Sequence, residues 1–142
     1  MISGVTALAA RAIGPGLALL LAGAVGTACS PPTVPPPPST PPEQVVQIYL
    51  QAAKAQLCSL TAALTLRHTW SWCRDPRLLD YRSVGPALAV PASEAGRDED
   101  CVSFEMDTRG SSDGSMPVGW QPWSLCLVRT AAGWRLYDQG QG

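Results

Sequence analysis

The stretch Cys101–Thr130 restricts the fold of this 142-residue chain more than any other, because three separate signals in it agree on one strand pairing. From Cys101 the side chains alternate. Val102, Phe104 and Met106 fall on one face and Ser103, Glu105 and Asp107 on the other, the two-residue period of a half-buried strand. A second run, Trp120–Thr130, carries Trp123, Leu125 and Leu127 on its apolar face. Between them Gly110–Gly119 centres on Asp113-Gly114, a strong hairpin signal. With that dipeptide as the turn, Val102 faces Leu125, Phe104 faces Trp123 and Cys101 faces Cys126. The two cysteines then form a non-hydrogen-bonded pair, where facing residues approach closely enough for a disulfide. Pro122 also falls on a non-hydrogen-bonded site and removes no ladder bond. Pro117 does not, so the tip of the hairpin is expected to splay.

The cysteine count extends this reading. There are five, at 29, 58, 73, 101 and 126. Cys29 ends an apolar run, Leu17–Ala28, that carries no charge and follows a leader whose one basic residue is Arg11. The run is too short for the roughly 20 residues that cross a bilayer and has the length of a signal-peptide core. Gly14-Pro15-Gly16 blocks its extension upstream. Gly26-Thr27-Ala28 before Cys29 resembles the lipobox of bacterial lipoproteins, with Gly26 where that family favours Leu, Val or Ile. The resemblance implies that residues 1–28 are a signal peptide. It also implies that Cys29 carries thioether-linked diacylglycerol and that the membrane is a partner through this lipid. The expected location is then the outer face of the cytoplasmic membrane. The alternative is ordinary signal-peptidase cleavage after Ala28, giving a secreted soluble protein with an unpaired thiol. Either route passes through an oxidising space, where the remaining four cysteines are expected as two disulfides.

Residues 29–42 read as the lipidated cysteine and a proline-rich linker. Eight of the thirteen residues in Ser30–Pro42 are proline, which favours extended polyproline II and burial of no core. Ten such residues reach roughly 30 Å, a stalk between membrane and domain. A ligand for a proline-recognising protein is the other reading of such a segment.

Residues 43–142 are expected to form a single α+β domain. Thr40-Pro41-Pro42-Glu43 has the pattern of a capping box with prolines in the first turn. Val46, Tyr49, Leu50, Ala53, Leu57, Leu60 and Leu64 follow at helical spacing, with a break near Cys58-Ser59 where Ser59 could cap a second helix. Arg67–Cys73 reads as a link, and Asp75-Pro76 as a cap and first helical residue of a brief helix through Leu79. A bridge between Cys58 and Cys73 would close a loop worth about 3 kcal/mol in chain entropy. Tyr81–Val90, interrupted by Gly85-Pro86, predicts an edge strand with a bulge, and Pro91–Asp100 a polar loop. Thr130-Ala131-Ala132-Gly133 predicts a tight turn, after which Trp134–Asp138 closes the sheet.

The order of elements over 43–142 and the ending Gly133-Trp134-Arg135-Leu136-Tyr137-Asp138 resemble the nuclear transport factor two-like superfamily, which includes SnoaL-like domains. More narrowly, they resemble those of small exported actinobacterial lipoproteins. The resemblance implies N-terminal helices packed on a curved antiparallel sheet as a cone, and often a homodimer. Some relatives isomerise or cyclise small apolar molecules with carboxylates and a Tyr inside the cone; others only bind or assemble.

The composition excludes several function classes. The formal charge is −1, Lys54 is the one lysine and no basic run exists, which argues against nucleic acid as a partner. His68 is the single histidine, so a metal site would rest on a mixed set with Cys73, which export turns toward oxidation. No cofactor motif is present. An acid–base pair inside a cone could draw on Tyr49, Asp80 or Glu105. Asp98-Glu99-Asp100, with Glu94 nearby, reads as a solvated acidic loop. Trp70 and Trp72 in the link, and Trp120 and Trp123 flanking Pro122, are either core residues or an aromatic surface for a ligand or protein partner. The expected function is a non-catalytic, lipid-anchored binding or assembly module. The alternative is an extracytoplasmic SnoaL-like isomerase or hydrolase acting on a small apolar molecule.

Overall fold

A computed structural model describes residues 31–66 and 69–141. The leader, Cys29 and His68 lie outside the described residues. The architecture is α+β, with an open antiparallel sheet of five strands and few helices. Among the described residues no helix is long and apolar enough to cross a membrane.

Helix α1 spans Pro42–Lys54. Glu43 in its first turn and Lys54 in its last complement the helix dipole. The expected capping box is not formed. Pro41 is the N-cap and no side chain caps the helix, while the Thr40 amide, one residue too early, donates to the Pro37 carbonyl at 3.0 Å. The helix ends in a Schellman motif: Leu57 N–H donates to Ala52 O (2.8 Å) and Gln56 N–H to Ala53 O (3.1 Å), with Gln56 at φ 57°. Helix α2, Cys58–Ala63, follows at the expected break, but Leu57 and not Ser59 is its N-cap.

The segment from Asp75 is a correction. It continues into strand β1, Leu78–Arg82, rather than a helix. Its backbone is claimed by a neighbouring strand, since Arg77 O accepts from Arg109 N–H at 3.1 Å and Leu78 pairs with Thr108. Asp75, preceding a cis proline, caps no helix; its carboxylate accepts from the amide and hydroxyl of Ser112 in the hairpin tip. Strand β2, Ala87–Val90, lies further along the same edge of that neighbouring strand, β3 (Glu99–Arg109). The expected edge strand thus exists as two pieces. Gly85 keeps contact in the gap through its amide to Ser103 O at 2.9 Å. The loop expected over 91–100 holds a one-turn helix, α3 (Ala92–Ala95), and gives way to strand β3, Glu99–Arg109, one residue before Asp100.

Strand β4, Val118–Thr130, pairs with β3 in the expected register: Cys101 opposite Cys126, Val102 opposite Leu125, Phe104 opposite Trp123. The ladder stops at Arg109 and Val118, so the tip is splayed. Strand β5, Gly133–Gly140, returns through the two-residue turn Ala131-Ala132. Its outer edge is partly covered, because Leu66 N–H donates to Leu136 O (2.9 Å) and Leu136 N–H to Leu64 O (2.8 Å). The apolar residues of α1 and α2 (Val46, Tyr49, Leu50, Leu60) and of the strands (Val102, Phe104, Met106, Leu125, Leu127, Leu136) share one hydrophobic cluster.

The spacer touches the domain. Gly133, at φ 100°, lies so close to Pro38 that a Cβ there would come within 2.9 Å of the Pro38 Cα. Further upstream, Thr33 shares a surface cleft with Gln56–Leu60.

Candidate functional site

The four cysteines of the domain pair as expected from the sequence. Cys58 at the start of α2 is joined to Cys73 ahead of β1, with Cα atoms 5.2 Å apart. Cys101 and Cys126 are joined across β3 and β4 with Cα atoms 4.0 Å apart, the close spacing of a non-hydrogen-bonded pair. Because Cys73 is in a disulfide, it offers no thiolate for a metal beside His68.

The four candidate tryptophans, Trp70, Trp72, Trp120 and Trp123, do not form one surface. Trp72 is 0% exposed and packs against Tyr49, Phe104 and Trp123 with ring centroids 5.9, 6.2 and 6.4 Å away. Its amide donates to Tyr49 Oη at 2.7 Å and its Nε1 to Gln139 Oε1 at 2.6 Å. Trp123 is 6% exposed, as its position on the inward face of β4 requires. Both are core residues, the first of the two readings the sequence left open, and neither belongs to a partner surface. Trp70 is half-buried, its carbonyl accepting from Gln139 Nε2 at 3.1 Å. Trp120 alone stands out, 47% exposed, with the Arg82 guanidinium 4.3 Å over its ring.

The acid–base candidates are dispersed as well. Tyr49 is fully enclosed and burial pushes its phenol far above the ordinary value, so it acts as a neutral acceptor for Trp72. Asp80 pairs with Lys54 at 2.7 Å on the surface, which holds its carboxyl below the ordinary value. Glu105 pairs with Arg82 at 2.6 Å. Tyr49 is thus shut inside the core, while Asp80 and Glu105 are each paired with a cation at the surface.

One group emerges that the sequence reading placed in a solvated loop. Glu99 is 5% exposed, although Asp98 and Glu94 beside it are exposed. It lies opposite Val90 of β2. Its burial, with Asp138 nearby, raises its carboxyl above the ordinary value, and Arg97 opposes that rise. It lines a cleft of about 280 Å³ together with Val90, Pro91, Asp98, Asp100, Arg129 and Trp134. Parity in the sequence points the other way, since Glu99 continues the series Cys101, Ser103, Glu105 on the face opposite Val102, Phe104 and Met106. Glu99, Cys101 and Cys126 also lie together, but the two sulfurs are bonded to each other, which leaves one ligand atom for a metal.

Compared with protein-family models, curated proteins and solved structures, the chain matches none.

Proposed function

We propose that this chain is a non-catalytic, lipid-anchored extracytoplasmic module that binds a ligand or partner. In this reading residues 1–28 are a signal peptide, Cys29 carries the lipid, and the helices close over a curved sheet in the manner of a nuclear transport factor two-like domain. One observation favours binding over catalysis. Trp72, packed among Tyr49, Phe104 and Trp123, fills the interior where a cone-shaped enzyme would hold its substrate. The candidate carboxylates Asp80 and Glu105 are paired with cations on the surface.

The test is the chemical state of the N-terminus. Intact mass spectrometry of the protein purified from membranes of an expressing bacterium is expected to show a chain that begins at a diacylglyceryl-modified Cys29. Cys29→Ser is expected to move the protein from the detergent phase to the aqueous phase in phase partitioning. A wild-type chain that retains Met1, stays in the cytosol and carries free thiols would overturn the reading.

A further inference from the structure

Burying a carboxylate without a partner is unfavourable, and proteins relieve the cost with a hydrogen bond, a cation or a proton. Glu99 at the start of β3 approaches this position: the residue is largely enclosed, while its oxygens keep some contact with solvent. It is 5% exposed, and among the described residues no donor or ion-pair partner reaches its oxygens. Arg97, whose charge acts on Glu99, has its guanidinium 3.9 Å over the Tyr137 ring. Asp138 adds a second negative charge close by. The cleft that Glu99 lines has apolar walls from Val90 and Pro91 and an aromatic wall from Trp134. Asp98 and Asp100 also line it, against the single positive charge of Arg129.

We propose that this cleft binds the cationic head of a small organic molecule, an alkylammonium or alkylguanidinium group, with the charge at Glu99 and the alkyl chain against Val90 and Pro91. The Arg129 guanidinium, 5.4 Å from the centroid of Trp134, already occupies the aromatic wall, so the cationic head is held by the charge at Glu99 and not by the ring. A volume of about 280 Å³ is near the lower end of small-ligand pockets. A hard metal ion fits poorly. Calcium takes about six to eight oxygens, whereas Asp98 Oδ1 is occupied by the Ala92 amide at 3.0 Å and the neighbouring sulfurs form a disulfide. The proposal rests on the reading of the domain as a binding module but not on the lipid.

The test is calorimetric titration of the full mature protein in detergent with butylammonium, butylguanidinium, acetyl-arginine amide and calcium, just above the ordinary carboxyl range. Saturable binding of the two free cations is expected. Glu99→Gln should weaken it about tenfold or more, as loss of a charged hydrogen-bond partner does, while Glu94→Gln leaves it unchanged. Binding should also release protons, seen by repeating the titration in buffers of different ionisation enthalpy, because a cation beside Glu99 favours its ionised form. Val90→Phe, which narrows the cleft without touching charge, should weaken binding as well and serves as a second variant. Binding of acetyl-arginine amide as tight as butylguanidinium would show that the source can be a peptide side chain. Equal affinity in wild type and Glu99→Gln, absence of saturable binding, or preference for calcium would overturn the site. Conversion of a bound amine to product would leave the site standing and overturn the non-catalytic reading.

Discussion

Asp113 and Glu99 are carboxylates of the same hairpin with opposite responses to their surroundings. Asp113, in the splayed tip, accepts from Ser111 Oγ (2.6 Å), Ser115 N–H (3.0 Å) and Ser115 Oγ (2.8 Å), which lowers its carboxyl from 3.8 to about 2. Its folded value lies below the unfolded one. Its contribution to stability is therefore present above pH 3.8 and is lost as the pH falls through about 2. Asp113→Asn is expected to remove the acid-dependent part of the tip's amide-exchange protection in that window. Identical acid profiles for wild type and variant would exclude the turn as the cause. Glu99 has the reverse sign: its folded value is raised, so its ionisation opposes folding as the pH climbs above the ordinary carboxyl range. The difference is a supply of donors. Ser-x-Asp-x-Ser brings them in sequence and is legible there, whereas Glu99 is enclosed by β2 and by Trp134 of β5, residues far from it in the chain.

Where an element is fixed by its own sequence, its reading holds; where a neighbour competes, it does not. The β3–β4 register follows from alternation, a turn dipeptide and two cysteines, all within one hairpin, and the pairs match residue for residue. Asp75-Pro76 carries a genuine helix-start signal, but Leu78–Arg82 gains a ladder against β3 that a short helix could not offer. The missed cap at Thr40 is smaller in kind, since a shift of one residue moves the side chain off the helix end. The end of α1 allows a direct test. Gln56 sits at φ 57° in the left-handed position that costs a residue with Cβ roughly 1 kcal/mol or more. Gln56→Gly is expected to stabilise the domain by up to about 1 kcal/mol, measured by denaturant unfolding. Destabilisation by the same amount would show that the Gln56 side chain has contacts outweighing its backbone strain.

At the scale of the molecule the two disulfides divide the work. The Cys58–Cys73 bridge closes a separation of 15 residues and ties the helices to the sheet entry; the Cys101–Cys126 bridge closes 25 and staples the longest hairpin. Chain entropy assigns each about 3 to 4 kcal/mol. Replacing either pair by serine is expected to lower the unfolding free energy by that order, with the two losses close to additive in a thermal or denaturant melt. A loss well under 1 kcal/mol for either pair would mean that the reduced chain is already constrained there. The bridges were legible from cysteine parity and the inward side of Trp123 from strand alternation, but Trp72 was not: only the folded chain shows it at the centre of the core. The contact of Pro38 with Gly133 and the place of Thr33 beside α2 carry a consequence for geometry in a cell. With a fatty anchor on Cys29, only four residues separate it from Thr33, and four extended residues span only about 12 Å. Such a protein would ride low over the headgroups with a preferred side down, rather than sway at the full reach of its prolines.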